Sequence, residues 1–178
     1  TKSTVPAIAG QPVSIYVRER TQAGTVLRSP SLTNRVVLFI HGAGTPAEVA
    51  FDVPAPDYSW MAFLARAGFD TFSMDTTGYG RSTPRAAEEA WDLDFMHRQA
   101  HEVLPALLQT LAVTDKPWLF GHSDGGSIAL LYAAKFSAQT EGAIVLAPHI
   151  LVEDLSVESI AKARTAYQQT DLRQRLAK

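Results

Sequence analysis

Gly121-His122-Ser123-Asp124-Gly125-Gly126 follows the short apolar run Trp118-Leu119-Phe120 and opens into Ser127-Ile128-Ala129-Leu130-Leu131-Tyr132-Ala133-Ala134. The first segment reads as a strand and the last as a helix, so a G-x-S-x-G turn joins them. Such a turn holds a serine on a sharp, strained corner, with its Oγ exposed at the end of a sheet. Gly121 and Gly125 stand where strand and helix backbones approach too closely for a Cβ. The plainer reading is a glycine-rich turn that cradles a phosphate at a helix N-terminus. A strand before the motif and a helix after it favour Ser123 as a nucleophile.

Two other segments support that reading. Val36-Val37-Leu38-Phe39-Ile40 is a continuous apolar run, the mark of a parallel strand buried on both faces. It ends in His41-Gly42-Ala43-Gly44-Thr45. A loop of this kind turns a backbone N–H toward the nucleophile. The N–H groups of Ala43 and Asp124 are therefore expected to form an oxyanion hole. Gly42, Gly44 and His122 are expected to line the substrate site. Thr71-Phe72-Ser73-Met74 reads as a strand that leaves the sheet through Asp75-Thr76-Thr77-Gly78-Tyr79-Gly80-Arg81-Ser82. Asp75 is expected to fix that loop through its backbone N–H groups.

His41-Gly42, then Asp75-x-x-Gly78-x-Gly80-x-Ser82, then Gly121-x-Ser123-x-Gly125 together resemble the α/β-hydrolase superfamily. The resemblance runs from about Val13 to Pro148. It implies an α/β fold with a doubly wound, mostly parallel sheet. It also implies cleavage of a small ester-like substrate through an acyl-enzyme on Ser123, with no cofactor and no metal. An aspartate at the nucleophile position would suggest dehalogenase or epoxide-hydrolase chemistry. Here that position is Ser123, and Asp124 only follows it.

The rest of the core is read from pattern. Val13 to Arg20 alternates, and with Thr25 to Arg28 after Gly24 it suggests an N-terminal hairpin. Ser59 is a candidate cap for a helix through Ala67, with Trp60, Phe63, Leu64 and Ala67 as its apolar stripe and Gly68 as its stop. Leu93 to Leu111 is predicted helical, with Met96, Ala100, Val103, Leu104, Leu107, Leu108 and Leu111 on one face and a kink at Pro105. Trp118 to Phe120 and Ala143 to Ala147 are predicted buried strands. Ala47 to Pro56 is expected to be a long loop above the oxyanion site.

Residues 1–150 are assigned to the hydrolase core, and 151–178 to the start of a helical cap. There Asp154 or Ser156 is the expected cap residue, Ile160, Ala163 and Tyr167 the inward positions, and Thr170-Asp171 the opening of another helix. In the superfamily the triad runs serine, acid, histidine along the chain. After Pro148 this sequence offers polar helix, with no further strand and no histidine beyond His149. A sheet that ended at Ala143 to Ala147 would leave a very apolar edge open to aggregation. The expectation is a complementing partner that brings the acid and the histidine: a C-terminal polypeptide, a downstream segment or a swapped protomer.

The sequence holds five histidines. His41 is expected to be a structural hydrogen-bonder. His122 is too close to Ser123 in sequence to reach its Oγ. His97 and His101 share a helix face and read as solvent-edge residues rather than metal ligands. His149, at the carboxyl end of the strand beside the elbow, is expected to line the substrate pocket. A substitute base there, oriented by Glu153 or Asp154, is the less favoured reading.

Composition bounds these readings. The 178 residues are 46% hydrophobic with a formal net charge of −2, enough for one globular core and without the basic excess that nucleic acid would require. Cysteine is absent, which excludes disulfides and thiolate chemistry. No apolar run is long enough to span a bilayer. The compartment is left open. Two other functions stay in view: a carbon–carbon bond hydrolase or lactonase with the same serine machinery, and a non-catalytic binding module on the same fold.

Overall fold

The computed structural model describes residues 13–24, 35–85 and 92–176. It divides into two units, Thr1–Pro148 and His149–Lys178.

Five strands form the sheet of the first unit: β1 (Val17–Arg20), β2 (Val36–Ile40), β3 (Asp70–Met74), β4 (Trp118–His122) and β5 (Gly142–Leu146). Their order is β1-β3-β2-β4-β5. The pairs β3–β2, β2–β4 and β4–β5 are parallel, and β1 adds an antiparallel edge against β3. Every residue of β2 is buried, as its unbroken apolar run requires at the centre of such a sheet. Val36, Leu38 and Ile40 face one hydrophobic cluster, Val37 and Phe39 the other. Helices cover both faces, so the sheet is doubly wound. The expected hairpin partner, Thr25 to Arg28, lies outside the described residues. Val13, Ile15 and Val17 do turn toward the core. Residues 14 and 16 run beside the loop after β3: Ser14 N donates to Thr83 Oγ1 and Tyr16 N to Ser82 Oγ.

On the Phe39 face lie α1 (Ala47–Phe51) and α2 (Trp60–Arg66). Here the structure corrects two expectations. The segment after Pro46 is not a loop throughout, because its first five residues form a helix that buries Ala47 and Phe51. In α2, Ser59 caps as expected, accepting from Ala62 N at 2.8 Å. However, Met61 and Ala65 are the buried positions, whereas Trp60 and Phe63 are 51% and 61% exposed. Met61 and Ala65 sit one turn apart and reach the sheet together. Trp60 instead lies at the rim, its ring 5.4 Å from that of Phe120.

On the Leu38 face, α3 (Phe95–Arg98) runs into a π-helical turn, Gln99–Val103, and then α4 (Leu104–Thr110). Pro105 has no N–H to return to the carbonyl one turn back, and the ladder shifts register just before it. All seven predicted apolar positions of this segment join the core cluster. α5 (Asp124–Lys135) packs on the same face through Ile128, Ala129 and Tyr132.

β5 is the far edge of the described sheet and is only half covered. Ala143 and Val145 pack on the Leu38 face, but Ile144 and Leu146 remain 47% and 45% exposed. The strand is therefore not buried on both faces as expected. α1 and α2 cover β2, β3 and part of β4 and stop short of it.

In the second unit, α6 (Asp154–Gln169) and α7 (Leu172–Leu176) contain no buried residue. The cap of α6 is Glu153, in place of Asp154 or Ser156. Ile160, Ala163 and Tyr167 are all exposed, contrary to the inward expectation. Thr170 does open α7, since its Oγ1 accepts from Leu172 N at 3.2 Å. No described helix is long and apolar enough to cross a membrane.

Asp70, at the start of β3, has one buried carboxylate oxygen without a hydrogen-bond partner. Burial first, and Glu19 second, push its carboxyl up from 3.8 to about 6. A folded pKa above the unfolded one means that the native state holds the extra proton, so this site weakens the fold as pH rises. Asp70→Asn is expected to raise stability by about 1 kcal/mol near pH 8, after allowance for solvent screening, with little gain near pH 4.5. Urea midpoints at both pH values test this; an equal gain at both would refute it.

Candidate active site

Ser123 occupies φ 54°, ψ −120°, a conformation that non-glycine residues avoid, between the end of β4 and the first residue of α5. The chain is forced through this corner by its neighbours. A Cβ on Gly121 would overlap the backbone of Gly125, and one on Gly125 would overlap the carbonyl of Ile40 in β2. Ser123 N donates to Leu146 O at 2.8 Å, which ties the corner to the end of β5. Both glycines predicted to relieve crowding do so.

Gly42 closes against the same corner. A Cβ there would lie 2.9 Å from the Ser123 Cβ and 3.3 Å from His122 Nδ1. Ala43, Gly44 and Thr45 follow and are all exposed, with Gly44 at φ 77°. Asp124 opens α5, where first-turn N–H groups have no acceptor within the helix and the helix dipole is positive. The fold thus gathers Gly42, His122, Ser123 and Asp124 at the carboxyl end of the parallel strands, with Ala43 the next residue along the loop.

Asp75 has the expected structural role and more. Its Oδ2 accepts from Arg81 N at 2.9 Å, holding its own loop, and its Oδ1 accepts from Ala47 N at 2.8 Å, holding the start of α1. Gly80 leaves room for the carboxylate, which any Cβ there would strike. His41 is buried, as a hydrogen-bonder should be only with both nitrogens engaged. Nε2 accepts from Thr76 N at 2.9 Å, which puts the ring proton on Nδ1, 2.6 Å from Gly42 O.

His97 and His101 face each other edge-on, 5.9 Å between ring centroids, and His101 Nε2 lies 3.4 Å from Leu131 O. Among the described residues no group of three or more metal-ligating side chains forms. His149 is exposed and begins the second unit.

Sequence reading missed Tyr79 and Gln99. Tyr79 packs edge-on to His41 at 5.4 Å, and burial, with the Asp124 carboxylate as a second cause, raises its phenol. Gln99 is buried and accepts from Thr77 N at 3.4 Å. Each stands at a position whose residue type carries no local signal.

A family model described as serine aminopeptidase, S33, matches residues 32–176. The chain belongs to this family. Its fold is that of the α/β hydrolases. No curated protein matches the sequence. Among solved structures, a carboxylesterase of the ammonia-oxidizing thaumarchaeon Nitrososphaera gargenis superposes with a TM-score of 0.67 at 20% identity, over 95% of this chain and 53% of that one. A thermophilic esterase from Thermogutta terrifontis gives 0.61 at 19% identity, over 95% and 53%. Est816, an enzyme that degrades N-acyl homoserine lactones, gives 0.59 at 21% identity, over 88% and 49%. The chain spans about half the length of these structures, and at such identities the likeness establishes the fold.

Proposed function

We propose that the chain carries the nucleophile and oxyanion hole of a serine hydrolase that acts on small ester-like substrates. One observation carries this reading: Ser123 is held at a strained corner between β4 and α5, with Gly42 pressed against it. Backbone strain of this kind costs about 1–3 kcal/mol and persists where function uses it. In the reaction Ser123 Oγ attacks the carbonyl carbon and passes its proton to a histidine. The N–H groups of Ala43 and Asp124 stabilise the oxyanion, and Gly42, Gly44 and His122 line the site. The alcohol then leaves with the proton, and water, deprotonated by the same histidine, releases the acid.

That histidine, and the acid that orients it, come from polypeptide outside Thr1–Lys178. His41 supports this, since both of its ring nitrogens are already engaged. A lactone is a cyclic ester and asks nothing more of the machinery, so the lactone-degrading neighbour favours lactone opening as the second reading.

Labelling with a fluorophosphonate, read by peptide mass, tests the proposal in an assembly that includes the acid and the histidine. An adduct on Ser123 together with turnover of p-nitrophenyl esters is expected. Inertness of such an assembly to both would overturn it in favour of a non-catalytic binding module.

A further inference from the structure

The loop that carries the Ala43 N–H has little of its own to hold it. Ala43, Gly44 and Thr45 are exposed, so packing does not set their conformation. One end is fixed by Gly42 against the elbow. The other end is wherever α1 begins.

α1 has five residues, too few for a helix to be stable on its own, and its cap position, Pro46, makes no side-chain cap bond. Its position therefore comes from outside. At its C-terminal end, fully buried Asp52 binds Arg18 Nε, Arg20 Nε and Ser59 Oγ. At its first turn, Glu48 Oε1 lies 3.3 Å from Arg18 Nη1, and Oε2 lies 3.1 Å from Arg81 Nη2. Arg81 is itself held on three sides. Its N–H donates to Asp75, its Nη1 donates to Tyr16 Oη at 2.7 Å, and its guanidinium stands 4.9 Å above the Tyr16 ring. A closed circuit results, because Asp75 binds the N–H groups of both Ala47 and Arg81, while the Arg81 head group returns to Glu48, the residue after Ala47.

We propose that Glu48 is a positioning residue for the oxyanion loop: by bridging Arg18 and Arg81 it fixes the first turn of α1, and with it the direction of the Ala43 N–H. This rests on the reading of Ala43 as an oxyanion donor. The competing account is a surface ion pair of little consequence, which most exposed pairs are. Two features set Glu48 apart. It engages two guanidinium groups at once, and its own side chain is only 28% exposed.

Amide ¹⁵N relaxation on the 178-residue chain tests the proposal without any need for turnover. Glu48→Gln is expected to lower the order parameters of Ala43 and Gly44 from about 0.85 toward 0.6, while Leu38 to Ile40 stay rigid. Unsubstituted protein in about 1 M salt should show the same change, because the screening length there falls to about 3 Å. Unaltered loop amides under both conditions would overturn the proposal, as would equal loosening of loop and β2.

In the complete, ester-hydrolysing assembly, Glu48→Gln should lower kcat about five- to tenfold with KM unchanged, the pattern of a lost transition-state interaction. Glu48→Gln and Arg81→Gln combined should cost no more than Glu48→Gln alone. A loss confined to KM, or losses that add fully, would refute the positioning role. If the unsubstituted assembly turns over no ester, the hydrolase reading fails, and the relaxation experiment alone decides whether Glu48 orders the loop.

Discussion

Gly125→Ala is expected to cost more than about 4 kcal/mol of folding stability, or to prevent folding altogether. The new methyl would overlap the carbonyl oxygen of Ile40 and approach His41 O to 2.6 Å. Both obstacles are backbone at the end of the central strand, so no side chain can swing aside. Relief would need α5 to lift off β2, and α5 buries Ile128, Ala129 and Tyr132 in the same core as Leu38 and Ile40. Gly126→Ala is the matched control. Its methyl would meet the Pro148 Cβ at 3.3 Å and Gly121 O at 3.4 Å, tight contacts that small shifts absorb. It should cost about 1 kcal/mol, the usual size of a point-mutation effect. Urea unfolding of the pair measures the difference. Equal stability of the two variants would show that the close approach of α5 to β2 does not constrain the fold.

The parts of this chain that were legible in the sequence are those whose reasons are local. The unbroken apolar run of Val36–Ile40 announces a strand buried on both faces, and it is one. The glycines around Ser123 announce a close approach, and Gly121 and Gly125 both stand in one. The Ser59 cap and the apolar face of the Pro105 helix read correctly for the same reason.

What escaped depends on residues distant along the chain. α1 looks like a loop because five residues between Pro46 and Pro54, even with the good helix formers Ala47, Glu48 and Ala50, are too few for a helix to stand by itself. It forms because Asp75, 28 residues away, takes its first N–H and because Arg18 and Arg20 hold Asp52 at its end. In α2 hydrophobicity alone points to the large aromatics Trp60 and Phe63, yet Met61 and Ala65 are the pair that the sheet buries. The half-covered state of Ile144 and Leu146 follows from where other elements stop, which no window of sequence contains.

Ser123→Gly is expected to do two opposite things: raise the stability of the fold by about 1 kcal/mol and remove the proposed chemistry. At φ 54°, ψ −120° a serine is strained by its Cβ, and glycine is not. The release of about 1–3 kcal/mol is offset in part by the greater backbone freedom of an unfolded glycine, which costs about 0.5–1 kcal/mol. Ser123→Ala separates the two effects. It keeps the Cβ and therefore the strain, and it loses only the hydroxyl. Both variants should lose fluorophosphonate labelling, and in the complete hydrolase assembly both should lose turnover by a factor on the order of 10⁶, since the loss of a serine nucleophile removes the whole covalent route. Only the glycine variant should gain stability. If Ser123→Gly is no more stable than Ser123→Ala, the corner is not strained by its side chain. The backbone would then not be storing energy on behalf of the nucleophile, and the observation that carries the hydrolase reading would lose its physical basis.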